Sequence, residues 1–289
     1  MNRNKKNVLK GLLFIAPNYI GFFIFTLVPM VTAIVISFTK WKMGDMEFIG
    51  LKNYLELLGS RSFYKSFLNT VLFVLGTVPV TIVLGLGIAY FVDRYAYGKS
   101  LIRTIMFLPY TANIVAICYV WMMLFQPTYG PVNQLILKFV KTAPGWLTSS
   151  EWALICIMAL QVWMYAGYCM VIYLAALKQV PSDLMEAAAI DGASRYKQFV
   201  HIILPSLSPT TFFILITMLI NSLKIFAPMN IMTDGGPGDS TSVLVFQSYI
   251  TAFRYNDMGT ASAISTILFL IILGITLYQW KGQNKWVNY

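Results

Sequence analysis

Two groups of side chains stand where an apolar chain needs a reason to place them. Gln161, Trp163, Tyr165 and Tyr168 fall in the apolar run 152–177, and Asn221, Ser222 and Lys224 in the run 207–227. Tyr165 and Tyr168 are three residues apart, as are Asn221 and Lys224, so each pair shares a helix face. The chemistry available to them is non-covalent: amides and hydroxyls exchange hydrogen bonds, rings stack, and the ammonium attracts an anion. Polar groups inside a bilayer are costly and turn toward a cavity or another helix. For the tyrosines, interhelical packing or an interfacial aromatic belt is an open alternative. For Asn221 and Ser222 the alternative is a helix-to-helix hydrogen bond. For Lys224 it is an ammonium that snorkels to the outer face or pairs with another chain.

Covalent chemistry finds no constellation. His201 is the only histidine, which excludes multi-histidine metal sites and most Ser-His or Cys-His arrangements; on an amphipathic stretch it reads as a solvated surface group. G-x-S-x-G does not occur, nor does the phosphate cradle G-x-x-x-x-G-K-[ST]. The string TDGGPGDST at 233–241 has no lysine after it and reads as a tight Gly/Pro turn. Cys118, Cys156 and Cys169 all lie in apolar runs, where packing is their expected role. Catalytic residues, metal and cofactor are therefore expected to be absent.

The elements that must position these groups follow from composition. The chain of 289 residues is 58% hydrophobic and 11% charged, against roughly 45–50% and about 25% in soluble domains. Runs of about 20 or more apolar residues predict spanning helices rather than barrel strands. They fall at 11–38, 67–92, 104–125, 152–177, 207–227 and 259–280. The predicted class is an all-α polytopic membrane protein, a single domain over 1–289. The first run follows Arg3, Lys5, Lys6 and Lys10; its length and the lack of a small-residue cleavage site predict a retained helix.

Six spans put both termini on one side. Arg94, Lys99, Arg103, Lys178, Arg195, Lys197, Lys281 and Lys285 join the N-terminal cations there. Opposite them, Lys40, Lys42, Lys52, Arg61, Lys65, Lys138, Lys141 and Arg254 are interspersed with acids such as Asp45, Glu47, Glu56, Asp234 and Asp257. The bias predicts cytoplasmic termini, and it accounts for the net charge of +10 without nucleic acid.

Between the fourth and fifth spans, the loop 178–206 contains EAAAIDGASRYKQFVHIILP at 186–205. Pro181 ends the fourth span, and Asp183 lies three residues before Glu186, a capping-box-like spacing. A helix over 184–191 is closed by Gly192. A second, over about 194–203, carries Tyr196, Phe199, Val200 and Ile203 on one face and Arg195, Lys197, Gln198 and His201 on the other. Pro205 breaks the chain before the fifth span. Both helices are too short to span a bilayer, so the apolar stripe needs a partner or the membrane interface.

The string resembles the EAA loop of permease subunits in bacterial binding-protein-dependent ABC importers, at Glu186, Ala187, Ala188, Gly192, Ile202, Leu204 and Pro205. A second match, Thr233-Asp234-Gly235-Gly236-Pro237, then Ala252-Phe253 and Gly259-x-Ala261-Ser262-Ala263, is similar to the carbohydrate branch, the multiple-sugar, maltose and glycerol-3-phosphate permeases. Thr260 replaces a common aromatic. The match covers nearly the whole chain, as a six-span core without the extra N-terminal spans of some maltose-type members.

The resemblance implies a bacterial cell-membrane permease that performs no catalysis. Glu186, Ala187, Ala188, Asp191, Gly192, Leu204 and Pro205 would form the coupling loop that docks on a dimer of cytoplasmic ABC ATPases, which bind ATP and Mg. A second permease with its own EAA loop, an extracellular solute-binding protein and membrane lipid would be the other partners. Tyr165, Tyr168, Asn221, Ser222 and Lys224 become candidates for the solute pathway, because sugars offer C–H faces to rings and hydroxyls to amides. Lys224 favours an anionic sugar derivative such as glycerol-3-phosphate or an acidic sugar over a neutral saccharide. A secondary transporter would instead show inverted repeats and acidic groups in mid-span; no internal repeat is seen, and no Asp or Glu lies mid-span. A scaffold or intramembrane enzyme lacks a catalytic set.

Overall fold

The computed structural model describes residues 3–42 and 44–286, with side chains for 11–42 and 44–282. The side chains of Arg3, Lys5, Lys6, Lys10 and Lys285, used for the charge bias, lie outside the described residues. Apolar length makes helices here: four segments, Gly11–Ile36, Arg61–Tyr95, Ala153–Leu177 and Met258–Gly282, are long and apolar enough to cross a membrane, and two bent helix pairs can each supply one more.

The chain forms two compact units. The first comprises 1–60 and 247–269. Its N-terminal span is built from α1 (Arg3–Phe22), a π-helical turn at Phe23–Leu27, and α2 (Val28–Ile36). Pro29 lacks the N–H that would reach the carbonyl of Phe25, and the Val28 N–H reaches back to Phe23, so the wider turn sits where the ladder is short of a donor. A hairpin of β1 (Thr39–Lys42) and β2 (Asp45–Phe48) follows, then α3 (Lys52–Gly59). From α3, the Asn53 amide donates to the carbonyls of Ser37 and Thr39, both at 2.9 Å. Gly259 lies against this corner, since a Cβ there would stand 2.1 Å from the Thr39 carbonyl oxygen. The glycine of the second sequence match therefore serves a close backbone approach, and Ala261 and Ala263 beside it are buried.

The second unit comprises 61–246 and 270–289. Its long helix α4 (Arg61–Tyr95) starts earlier than the 67–92 expected, and α5 (Lys99–Thr111) and α6 (Ile114–Leu124) follow. The span expected at 104–125 is not one helix: α5 and α6 meet at 97°. Asn113 causes the restart, its side chain accepting the N–H groups of Val115 and Ala116, while the Asn113 backbone is extended. Next come α7 (Pro131–Ile136) and α8 (Ala153–Leu177). The core is α8 against α4, with Phe73, Val78, Leu160, Met170 and Tyr173 buried. Small residues set the helix spacing: a Cβ on Gly85 would lie 2.4 Å from the Cys169 Cβ, and one on Gly167 1.7 Å from the Met106 carbonyl oxygen. Cys118, Cys156 and Cys169 are buried and free.

The 178–206 loop gives α9 (Ser182–Ile190), α10 (Arg195–Gln198), a π turn at Phe199–Ile203, and α11 (Leu204–Ser206). Then α12 (Ser208–Leu223) meets this pair at 64°. It ends before the 227 expected, and Lys224 is its C-cap. A π turn at Met229–Thr233 leads into the glycine-rich turn, which α4 holds down: Asn69 donates to the carbonyls of Asp239 and Ser242 at 2.9 Å, and Thr70 accepts the Leu244 N–H at 3.0 Å. The string 233–241 is thus a pinned turn. Helices α13 (Leu244–Phe253) and α14 (Met258–Trp286) complete the chain, each contributing to both units.

Candidate functional site

The hairpin closes as its sequence dictates at one end and differs at the other. At Gly192, φ is +73°, the left-handed region that glycine enters at least cost. The N–H of Ala193 bonds to Ala188 at 2.9 Å and that of Gly192 to Ala189 at 3.1 Å, the paired closure of a Schellman motif. Asp191 is the C-cap. Asp183, however, is not the N-cap. Pro181 holds that position without a side-chain bond, and Asp183 sits in the first turn, where its charge complements the helix dipole.

The second helix does not keep the period of 3.6 read from the sequence. Pro205 offers no N–H to the carbonyl of His201, and the π turn before it sends the Leu204 N–H to Phe199. The chain thus passes through Pro205 and bends after it. The wider turn changes the buried face to Gln198, Ile203 and Leu207, five and four residues apart, while Tyr196 is 75% exposed. Gln198, expected on the polar side, donates to the Ala193 carbonyl at 3.1 Å. Phe199 packs edge-on to Tyr90 of α4, centroids 4.8 Å apart, and Arg195 reaches the Tyr95 hydroxyl at 3.3 Å.

One side of the hairpin is therefore anchored on α4, and the other is bare. Glu186, Ala187 and Asp191 are exposed, Ala188, Leu204 and Pro205 half-buried. Leu184 and Ile190 on α9 are 51% and 86% exposed. Glu186 makes no ion pair among the described residues. A short rigid helix with small residues, one free carboxylate and unpacked apolar side chains has the character of a docking element.

The second constellation lies within the spans. At about 1.5 Å per residue, Tyr165 stands roughly 18 Å from the Ala153 end of α8 and Tyr168 roughly 14 Å from the Leu177 end. That depth is away from both helix ends, and of the two alternatives interhelical packing is the one the rings display. The two rings meet a third that the sequence reading missed: Tyr110 of α5 stacks on Tyr168 at 4.6 Å and meets Tyr165 edge-on at 5.4 Å. The hydroxyls of Tyr110 and Tyr168 have no hydrogen-bond partner among the described residues. Tyr110 lies beside the α5–α6 break, where Thr111, Ala112 and Asn113 are exposed. Non-helical backbone at membrane depth is tolerated only against protein or a water-filled cavity. Pro109 and Asn113 were the signals that could have located this break.

The remaining candidates separate. Ser222 is buried, with its hydroxyl 3.2 Å from that of Thr77, the helix-to-helix bond that was the alternative reading. Gln161 is buried, and Trp163 packs on Trp121 at 5.7 Å. Asn221 is half-buried without a hydrogen-bond partner among the described residues. Lys224 is exposed at the end of α12, without an ion pair among the described residues, where its charge complements the helix's negative end. No group of three or more potential metal ligands occurs among the described residues.

Residues 81–283 match the model of the family described as binding-protein-dependent transport system inner membrane component. The chain is 32% identical over 278 residues to the "Probable starch degradation products transport system permease protein AmyD" of Thermoanaerobacterium thermosulfurigenes, covering 95% of this chain and 94% of that one. It is 30% identical over 246 residues to the sn-glycerol-3-phosphate transport system permease protein UgpA of Yersinia pestis, covering 84% and 82%. Its fold is similar to that of a chain in the crystal structure of a bacterial ABC transporter involved in the import of the acidic polysaccharide alginate, with a TM-score of 0.84, 24% identity, and coverage of 98% and 99%.

Proposed function

The chain belongs to the family of binding-protein-dependent transport system inner membrane components, and on that premise we propose that it is one of two transmembrane subunits of an ATP-driven carbohydrate importer. The observation that carries the coupling assignment is the bare face of α9, closed by the Gly192 motif and anchored to α4 through Phe199. A cytoplasmic ABC ATPase dimer, which binds ATP and Mg, docks there, and this chain does no hydrolysis. Closure of that dimer pushes the hairpin against α4, so the motor's motion passes directly into the core pair α4 and α8. The cavity opens outward to a solute-binding protein, and hydrolysis resets it. A second permease with its own coupling loop covers the α5–α6 break and completes the pathway. The excess of Lys and Arg on the terminal side supports cytoplasmic termini in a bacterial cell membrane.

The solute reading rests on the tyrosines. Tyr110, Tyr165 and Tyr168 offer ring faces at mid-depth, and the hydroxyls of Tyr110 and Tyr168 are unpaired among the described residues. Such a lining suits a saccharide, and the relative named for starch degradation products supports the same class. A second reading, an anionic sugar derivative, is favoured by the unpaired ammonium of Lys224 and by the glycerol-3-phosphate relative. Lys224→Met should lower uptake of an anionic solute at least tenfold and leave a neutral saccharide unchanged. Equal transport of both by the variant and the parent removes the charge reading.

Solubilising native membranes in mild detergent and identifying what co-purifies with the tagged chain tests the assembly. A P-loop ATPase and a second permease with an EAA loop are expected. Recovery of the chain alone, under conditions that preserve another membrane complex, favours a self-sufficient transporter.

A further inference from the structure

A groove of about 730 Å³ lies between α12 and the C-terminal part of α14, within the size range of small-molecule sites. Its walls are Phe212 and Leu215 from α12 and Gly274, Ile275 and Tyr278 from α14, with Lys281 at one end. From Gly274 to Lys281 the helix rises about 10 Å, so a single groove joins an apolar floor at hydrocarbon depth to an ammonium near the helix end. Gly274 leaves the floor open, since a Cβ built there meets nothing within 4 Å. Neither α12 nor α14 has an acidic residue, and Lys281 makes no ion pair among the described residues. Tyr278 and Trp280 are 77% and 69% exposed; with the lysine they make the composition of a membrane–water boundary.

We propose that this groove binds one anionic glycerophospholipid, an acyl chain lying along Phe212, Leu215 and Ile275 and the phosphate on Lys281. A wholly apolar partner helix would cover the floor and leave the ammonium without a counter-charge. A phosphate carried on hydrocarbon satisfies both ends, and basic pockets between spanning helices are known to take such head groups. This proposal rests on the chain spanning a membrane and not on the solute or the motor.

The test uses the whole importer, purified in mild detergent and examined by native mass spectrometry with added phosphatidylglycerol or phosphatidylethanolamine. The parent complex should retain phosphatidylglycerol in preference. Lys281→Gln should reduce that preference about fivefold, the effect of one lysine near an anionic surface. Gly274→Leu should abolish retention by filling the groove, and gel filtration should show it folded because its side chain enters open space. A photo-crosslinking residue at position 278 should capture lipid. Undiminished retention in both variants, or capture of a protein subunit at 278, overturns the proposal; should either variant fail to assemble, the crosslink decides.

Discussion

Replacing Gly192 with valine is expected to abolish solute uptake while the chain remains inserted at its normal level. The cause is backbone strain alone. The position has φ +73° and no atom within 4 Å of a Cβ, so valine meets no clash, but a β-branched residue in the left-handed region costs about 1–3 kcal/mol. The strain is relieved by opening the turn that joins α9 to α10, which the exposed Leu184 and Ile190 of α9 do little to resist. Asparagine, which enters the left-handed region readily, should restore most of the uptake lost with valine. Glu186→Lys acts on the same surface by another route: the carboxylate is exposed and unpaired, so reversal costs the fold within about 0.5 kcal/mol but opposes docking on the motor. Both variants should keep ATP hydrolysis by the motor and lose its link to transport. The ratio of uptake to hydrolysis in proteoliposomes containing the complete importer is the readout. Normal ratios in Gly192→Val and Glu186→Lys together would sink the assignment of the hairpin.

The parts of the molecule that hydropathy can report were readable from sequence, and the parts set by backbone donors were not. The runs around 11–38, 152–177 and 259–280 became helices because nothing inside them denies the hydrogen-bond ladder except Pro17 and Pro29, and the second of these is met by a π turn. The run 104–125 is just as apolar, so a window sum passes across its break without a signal. Asn113 decides otherwise by capping α6 from an extended backbone. In the hairpin, Gly192 announced its own conformation, whereas the face of the second helix was misread because a period of 3.6 does not hold through Phe199–Ile203. Tyr110 went unseen for a related reason: its partners Tyr165 and Tyr168 are on another helix, and only the close approach of α5 to α8 brings the rings together.

That approach depends on one missing side chain, and Gly167→Val should therefore cost the protein its fold. A Cβ on Gly167 would stand 1.7 Å from the carbonyl oxygen and 2.5 Å from the carbonyl carbon of Met106. Carbon contacts settle near roughly 3.5–4 Å, so α5 must withdraw by on the order of 2 Å, and what moves is backbone rather than the tip of a flexible side chain. Overpacking of this kind costs typically about 1–3 kcal/mol when side chains can yield; here they cannot, and the loss should exceed that range. The same displacement separates Tyr110, one helical turn beyond Met106, from the tyrosines on either side of Gly167. Gly167→Ala places the same Cβ against the Met106 carbonyl, so it should lose uptake and stability together, by less than Gly167→Val. Gly167→Val should aggregate on extraction. Gly274→Leu is the internal control, since it adds a larger side chain to open space in the same unit. Thermal unfolding in detergent distinguishes them: a Gly167→Val protein as stable as Gly274→Leu would show that α5 and α8 are not held together by backbone contact at this point, and the tyrosine cluster would then need another cause.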